Sequence, residues 1–139
     1  MRKVLLVTGA MLMIFAIGVT AAPKEIIRPS ITLDVPLTAT VAESWEPVLG
    51  DWVSFTVTFA KQVERYGPRV QLICYQGTTL VYGEAGPYDQ SFLLGGGSST
   101  WRTVGGSANC VADLYYWSYT GGQQQFNWLA STQFTAAAR

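Results

Sequence analysis

The chain has 139 residues, with nine basic and nine acidic residues, two cysteines and no histidine. This length suffices for one domain with a hydrophobic core of its own. The balanced charge argues against a nucleic-acid-binding protein, which would carry a basic patch. The lack of histidine excludes Ser-His and Cys-His catalysis and imidazole metal ligands.

The first 21 residues are predicted to be a secretory signal peptide. Arg2 and Lys3 precede an uncharged apolar run from Val4 to Val19, and small residues follow it. A basic start, an apolar stretch and small residues at a cleavage site are typical of export signals. We place cleavage after Ala21 and expect a secreted protein with no membrane attachment. The alternative is an uncleaved membrane anchor, since the run approaches the roughly 20 residues that span a bilayer.

Cleavage there would leave residues 22–139, which carry seven basic and nine acidic residues and a net charge of −2. Abundant aromatic and β-branched residues, few charges and frequent glycines favour strands joined by turns. Residues 22–30 include Pro23 and Pro29 and are predicted to form an extended N-terminal arm. Residues 31–139 are predicted to form the folded domain.

Alternation of apolar and polar residues predicts the first two strands. The first is Ile31–Val35, which Pro36 ends. The clearest strand spans residues 52–59, where every second residue is apolar: Val53, Phe55, Val57 and Phe59. A period of two over eight residues indicates one buried and one solvated face, as in an antiparallel sheet.

The remainder of the chain is predicted to continue as strands and turns, with no helical period. In chain order these are a strand at 69–75, a turn at 76–78, a strand at 79–82, a loop at 83–90, a short strand at 91–94, a minor strand at 101–104, a long strand at 107–117, a turn at 121–122 and a last strand at 125–136. About seven short strands in a domain of this size predict an all-β fold, an antiparallel β-sandwich.

Three stretches resemble strands of immunoglobulin-like and fibronectin-III-like domains, of the kind found in small secreted bacterial and phage proteins. Gly50–Val57 (GDWVSFTV) is similar to a second strand and Ala108–Ala112 (ANCVA) to a sixth, and Arg69–Gln76 with its hairpin partner completes the pattern. The resemblance covers residues 31–136 and implies an antiparallel immunoglobulin-like β-sandwich of about seven strands. A fold of this kind names no function.

Cys74 and Cys110 are predicted to form one disulfide, because an exported chain meets an oxidising compartment. On the third and sixth strands of such a domain, the two cysteines would be bonded across neighbouring strands of one sheet. With Cys74 on the second strand, the bond would instead join the two sheets. The alternative is a reactive thiol, but nothing in the sequence would activate it.

An aromatic hairpin is predicted between Tyr115 and Trp128. A two-residue turn at Gly121-Gly122 would place Tyr115 opposite Trp128, because a two-residue loop fixes the register. The outward face is then expected to carry five aromatic residues: Tyr115, Trp117, Tyr119, Phe126 and Trp128, with Trp117 opposite Phe126. These rings either stabilise the hairpin or form a recognition surface for a protein, a second copy or a glycan.

A β-bulge could change which residues of this hairpin face outwards. A one-residue bulge near the turn would invert the faces and bury Trp117. The simple register turns Phe134 outwards, whereas a bulge in the last strand would bury it.

Carboxylates are the remaining candidates for chemistry. Glu43 and Glu46 flank Trp45 and could pair as glycosidase carboxylates do. Glu84 and Asp89 could contact calcium, but they belong to no liganding motif. We therefore expect no catalysis, metal or cofactor.

The preferred interpretation is a secreted binding or display module that contacts a protein or a glycan through the aromatic hairpin. One alternative is a structural component of a virion or cell-surface assembly. The other is a small carboxylate-dependent hydrolase.

Overall fold

The fold is given by a computed structural model that describes residues 18, 21–36 and 45–138. In this part of the chain, a 3-10 helix (Lys61–Tyr66) and a short α-helix, α1 (Ser99–Val104), are set among eight strands: β1 (Ser30–Leu33), β2 (Trp52–Val53), β3 (Phe55–Thr58), β4 (Arg69–Gln76), β5 (Thr79–Pro87), β6 (Phe92–Leu93), β7 (Ala108–Thr120) and β8 (Gln123–Ala136). The strands pair in antiparallel sheets, which confirms the all-β class. Of the predicted signal peptide, all but Gly18 and Ala21 lies outside the described residues.

The largest sheet has four strands in the order β5-β4-β7-β8. Its inner face is buried at alternate positions, which are Val70, Leu72 and Cys74 on β4 and Ala108, Cys110, Ala112 and Leu114 on β7. Most of these β7 residues are small, so the side chains that cover them can come close to the sheet. The alternation in the sequence therefore correctly predicted which face is buried.

Two short strand pairs, β1–β3 and β2–β6, supply the other side of the core. The ring of Phe55 on β3 contacts Phe92 on β6 and Phe134 on β8, with centroid distances of 6.1 and 6.2 Å. One aromatic residue thus links three strands across the core. This packing of two layers around one core supports a β-sandwich.

The strand predicted at residues 52–59 is divided at Ser54. Its first part, β2, pairs with β6, and its second part, β3, pairs with β1. The hydroxyl of Ser54 donates a hydrogen bond of 2.7 Å to Asp34, and Thr56 donates one of 2.6 Å to the same carboxylate. Val53 and Phe55 are both buried, so the predicted apolar face survives the change of partner.

The minor strand predicted at residues 101–104 is wrong, because these residues lie in helix α1. The Ser98 hydroxyl accepts a hydrogen bond of 3.4 Å from the backbone N–H of Trp101 and so caps the helix. Gly105 ends the helix with φ 65°, a conformation that favours glycine. The indole of Trp101 is fully buried. A helix of six residues is too short to produce a readable helical period.

Two other boundaries differ from the predictions. The segment 61–66, predicted as part of a polar connection, forms the 3-10 helix, with Val63 buried. Strand β5 continues to Pro87, whereas a loop was predicted from residue 83. Both differences reflect tertiary contacts: Val63 packs inwards, and the residues from Gly83 to Pro87 pair with β4.

The predicted disulfide is confirmed. Cys74 on β4 and Cys110 on β7 lie directly opposite each other, with their Cα atoms 4.0 Å apart. The bond therefore joins neighbouring strands of one sheet, which decides between the two arrangements that the sequence left open.

The N-terminal segment before β1 is exposed from Ala21 to Pro29 and has no regular structure. Its apolar residues include Ile26, which is among the most exposed large hydrophobic residues. Within residues 18, 21–36 and 45–138, no helix has the length and apolar character needed to cross a membrane.

Candidate functional site

The hairpin of β7 and β8 extends beyond the sheet that holds its base. Strand β4 pairs with β7 only as far as Arg69, which lies opposite Tyr115. Residues 116–127, which we call the ribbon, are paired only between their own two strands. Gly121 and Gly122 close the ribbon with φ 59° and 78°, and both values are left-handed conformations that favour glycine. The sequence predicted this two-residue turn correctly.

The rest of the hairpin, residues 108–115 and 128–136, is here called the base, and it contains a β-bulge close to the ribbon. Leu114 pairs with Ala130 and Tyr115 with Trp128, so Leu129 is the extra residue on β8. The bulge places Phe134 opposite Cys110, where its ring reaches the core. The predicted pairings of Trp117 with Phe126 and of Tyr115 with Trp128 are confirmed, because the bulge lies below them.

The five predicted surface residues form one row of side chains, which we call the ladder. Their exposed fractions are 7% for Tyr115, 40% for Trp117, 72% for Tyr119, 50% for Phe126 and 58% for Trp128. Tyr115 is therefore a correction to the predicted binding surface, since it lies on the outer face but is covered. The other four rings of the ladder are open to solvent.

Ring contacts explain why Tyr115 is covered. The ring of Phe126 lies 5.1 Å from Tyr115 and 5.2 Å from Trp117, and Trp117 lies 6.4 Å from Tyr115. At the rim of the ladder, the indole N–H of Trp128 donates a hydrogen bond of 3.2 Å to the carboxylate of Asp113. The buried ring of Tyr115 thus packs against the exposed rings of Trp117 and Phe126.

The rings of the ladder are inclined to one another. Trp117 makes an angle of 67° with Phe126 and of 89° with Tyr115, while Tyr115 and Phe126 are tilted by 31°. Edge-to-face packing of this kind exposes both faces and edges of rings. The surface is therefore corrugated, in contrast to a flat platform of coplanar rings.

The opposite face of the ribbon is held to the rest of the fold by residues that the sequence did not indicate. Tyr116 stacks on Tyr66 of the 3-10 helix at 5.0 Å, and the guanidinium of Arg65 lies 4.7 Å from the Tyr66 ring. Within the ribbon, the Asn127 amide donates a hydrogen bond of 2.9 Å to the Ser118 hydroxyl and so joins its two strands. No local pattern connects Tyr66 with Tyr116, because only the tertiary fold brings them together.

The ladder is electrically neutral apart from its rim. The sequence contains no Asp, Glu, Lys or Arg from Leu114 to Ala138, and the charged residues at the rim are Asp113 and Arg69, which lies opposite Tyr115. A phosphate backbone needs Lys or Arg contacts, which this stretch of sequence lacks. The surface suits an uncharged contact region on a partner.

A cavity of about 700 Å³ lies elsewhere, between β5 and the segment before α1. Within it, the Tyr82 hydroxyl donates a hydrogen bond of 2.5 Å to Glu84. Burial and this carboxylate raise the pKa of Tyr82 well above its usual value, so the phenol stays protonated. The Ser98 hydroxyl donates to the carbonyl of Val81. These polar groups are thus engaged in holding the fold.

The other predicted carboxylates do not form a site in the described residues. Glu46 is exposed, and its proposed partner Glu43 lies outside the described residues. Glu84 bonds Tyr82, and Asp89 is exposed. Among residues 18, 21–36 and 45–138, no group of three or more metal-ligating side chains occurs.

Comparison of the chain with models of protein families, with curated proteins and with solved structures finds no match. The function is therefore inferred from the side chains of the chain itself. Among these, the exposed rings of the ladder form the candidate site.

Proposed function

We propose that this protein is a secreted, non-catalytic binding or display module that contacts its partner through the ladder. The observation that carries the proposal is the exposure of Trp117, Tyr119 and Phe126 on one face of a ribbon that projects from the sheet, with the exposed Trp128 directly beside it. Contiguous apolar patches are rare on soluble monomers and mark interaction sites.

The ribbon has the physical properties of a prepared contact surface. Trp and Tyr dominate binding energies because they supply large contact areas with few rotatable bonds. Tyr116 and Asn127 already hold the opposite face through stacking and a hydrogen bond. Binding therefore orders little that is not ordered beforehand, which lowers its entropic cost.

A protein partner fits the ladder better than a glycan. The rings are inclined by 67° and 89° at Trp117, so they present grooves and edges to apolar side chains. Neutrality of the surrounding sequence favours an uncharged patch on that partner. A glycan is the outcome that would correct this assignment.

Secretion and an immunoglobulin-like sandwich are parts of the same proposal. The Cys74–Cys110 disulfide supports an oxidising compartment, since such bonds are rare in the cytosol. The antiparallel layers around Phe55 support the sandwich. The hydrogen bond between Tyr82 and Glu84 supports a non-catalytic role for the cavity beside β5.

A second candidate function is a structural component of a larger assembly. The open strand edges of the ribbon favour it, because unpaired edges add strands from neighbouring chains. Sizing of the purified protein separates the two functions: a stable high-order oligomer supports the structural role, and a monomer or dimer supports the binding module.

The proposal is tested by screening the purified protein against an array of extracellular proteins and glycans. The double substitution Trp117→Ala/Trp128→Ala is expected to weaken binding to the recognised probe by at least about 100-fold, since two hot-spot rings are lost. The matched control is Trp52→Ala, because Trp52 is 66% exposed on β2, outside the ladder. Binding to no probe, or equal binding by the double variant, would contradict the proposal.

A further inference from the structure

The cavity beside β5 leaves part of the outer edge of that strand accessible. Strand β5 ends the four-stranded sheet, so β4 pairs with only one of its two edges. Residues 80–84 of β5 form one wall of the cavity, and residues 96–98 form part of the opposite wall. A volume of about 700 Å³ is in the range of ligand-binding sites, so a ligand can reach this stretch of the edge.

The backbone N–H and C=O of Gly83 point to the side of this cavity. Residues of an antiparallel strand direct these groups alternately towards the partner strand and away from it. The N–H of Tyr88 donates a hydrogen bond of 3.3 Å to the carbonyl of Pro68, so even-numbered residues from 82 to 88 point towards β4. The 4.0 Å between the Cα atoms of the disulfide agrees, since it marks a pair without mutual backbone hydrogen bonds and turns the cysteine of β4 towards β5. Gly83 therefore points away from β4.

The outward positions on either side of Gly83 are already engaged. The carbonyl of Val81 accepts a hydrogen bond from the Ser98 hydroxyl, and the carbonyl of Ala85 accepts one of 3.5 Å from the Arg69 guanidinium. In the described part of the chain, no group bonds the N–H or the C=O of Gly83 at this edge. The cavity thus offers one donor and one acceptor, which match the C=O and N–H of a single residue of an extended peptide.

The charge of the site favours the first residue of a peptide. In an antiparallel pair the nitrogen of the bound residue lies opposite the Gly83 carbonyl, which is the side of Glu84. The Tyr82 hydroxyl donates to one carboxylate oxygen of Glu84, and the Gln90 amide nitrogen lies 3.4 Å from the other. Among the described residues that line the cavity, none is basic. A free α-ammonium group supplies the missing positive charge at the place where the bound residue has its nitrogen.

Glycine at position 83 leaves room for the side chain of the bound residue. Directly opposed residues hold their Cβ atoms about 5 Å apart on the same face. No atom lies within 4 Å of the place where a Cβ of Gly83 would be. Further along, the peptide meets Val81, whose carbonyl already bonds Ser98, so pairing stops after one residue. Leu80 and Leu93 in the cavity wall offer apolar contacts to the residues that follow.

We propose that the cavity beside β5 binds the free N-terminal residue of a partner polypeptide. Its ammonium group donates to the Gly83 carbonyl and to the Glu84 carboxylate, and its first carbonyl accepts a hydrogen bond from the Gly83 N–H. The ladder lies on β7 and β8, at the other end of the sheet order from β5. This site is therefore separate from the ladder and does not depend on the proposed function.

Titration of the protein with peptides, followed by NMR of its backbone amides, tests the site. The probes are alanyl-leucyl-alaninamide and its N-acetylated form, which differ at the ammonium group. The free peptide is expected to shift the Gly83 amide signal with a Kd of about 1 mM, and the acetylated form to bind at least about tenfold more weakly. Equal binding of the two forms, or no shift at Gly83 up to about 10 mM peptide, would overturn the proposal.

Two proline substitutions isolate the backbone contact. Gly83→Pro removes the N–H that faces the cavity and keeps the bonds to β4, because proline is tolerated where an edge strand leaves its N–H unpaired. It is expected to weaken binding of the free peptide at least about tenfold. The matched control is Ala85→Pro, because the Ala85 N–H points the same way but Ala85 does not line the cavity. Equal binding by the two variants would contradict the role of Gly83.

Glu84→Gln tests the charge without a change in the backbone. The glutamine keeps an oxygen that accepts from Tyr82, so the variant is expected to fold and to bind the free and the acetylated peptide equally. The control is Asp89→Asn, because Asp89 is an exposed carboxylate outside the cavity lining. A tenfold preference for the free peptide that survives Glu84→Gln would overturn the proposal.

This proposal and the proposed function fail separately. The Trp117→Ala/Trp128→Ala variant is expected to keep peptide binding, and Glu84→Gln is expected to keep partner binding through the ladder on the array. Peptide binding that is lost in the ladder variant would assign the peptide to the ladder and overturn the site beside β5. Peptide binding with no partner on the array would support the cavity site alone.

Discussion

The base and the ribbon of the β7–β8 hairpin belong to the same pair of strands, yet they do different things. In the base, β7 carries Ala108, Cys110 and Ala112 on its inner face, and all three are buried beneath a second layer. In the ribbon, the large rings face outwards and no layer covers them. Burial of small residues holds the base in place, whereas exposure of large residues leaves the ribbon available to partners.

Period-two alternation alone does not decide whether an outward-facing side chain is covered or exposed. Tyr115 and Tyr119 lie four residues apart on the same face of β7, and the first is 7% exposed while the second is 72% exposed. The difference arises where β4 ends and the bulge at Leu129 begins. Stability is therefore expected to reside in the base and recognition in the ribbon.

Loss of the disulfide is expected to have the largest effect on the free energy of unfolding, because the disulfide lies in the base. The double substitution Cys74→Ala/Cys110→Ala removes a cross-link between two residues that are 36 positions apart in the sequence. The expected loss in the free energy of unfolding is about 3–4 kcal/mol on the chain-entropy account. Urea denaturation measures it. A loss below about 1 kcal/mol would show that the base does not depend on this bond.

Substitutions along β7 test whether residues of the base contribute more to stability than residues of the ribbon. Leu114→Ala leaves a cavity in the core and is expected to cost about 3 kcal/mol. Tyr119→Ala, five residues further along β7, removes a ring that is 72% exposed and is expected to cost less than about 0.5 kcal/mol. Thermal and urea unfolding of both variants provide the comparison. Similar costs for the two variants would contradict the division of roles.

Within the ladder, Phe126 is expected to matter most for stability. Phe126→Ala removes ring contacts with Tyr115 and Trp117 and is expected to cost about 1 kcal/mol. Gln124→Ala is the control, because Gln124 is exposed on the same strand and opposite Tyr119. Equal effects of the two substitutions on urea unfolding would mean that the rings do not support one another.

The smallest expected effect concerns the rim of the ladder. A double-mutant cycle of Trp128→Phe and Asp113→Ala isolates the hydrogen bond from the indole N–H to the carboxylate. Its expected coupling is about 0.5–1 kcal/mol, since a single hydrogen bond contributes little beyond its exchange with water. Additive effects would show that this bond does not position Trp128.

Several features could be predicted from local sequence. Alternation identified the buried face of β4 and β7, and Gly121-Gly122 fixed the hairpin turn and hence the pairing of Trp117 with Phe126. Phe134 gave the signal for the bulge, because an apolar ring on the wrong face needs an extra residue to turn it inwards. These features depend on neighbours along the chain or directly across one hairpin.

Other features could not be predicted because they depend on distant partners. The division at Ser54 follows from the hydrogen bond to Asp34, twenty residues away. Helix α1 follows from burial of Trp101 and the Ser98 cap. Tyr115 was expected to be exposed but is covered by the Phe126 ring, a matter of side-chain packing. The support of Tyr116 by Tyr66 left no local signal.

The central claim is that the base provides stability and that the ribbon provides the contact surface. It is tested most directly by hydrogen exchange at single-residue resolution. The amides of Val111 and Asp113, which pair with β4, are expected to exchange slowly. The amides of Trp117 and Tyr119 lie beyond the last pairing of β4 and are expected to exchange at least about tenfold faster. Exchange at Trp117 and Tyr119 that is as slow as at Val111 and Asp113 would contradict the account.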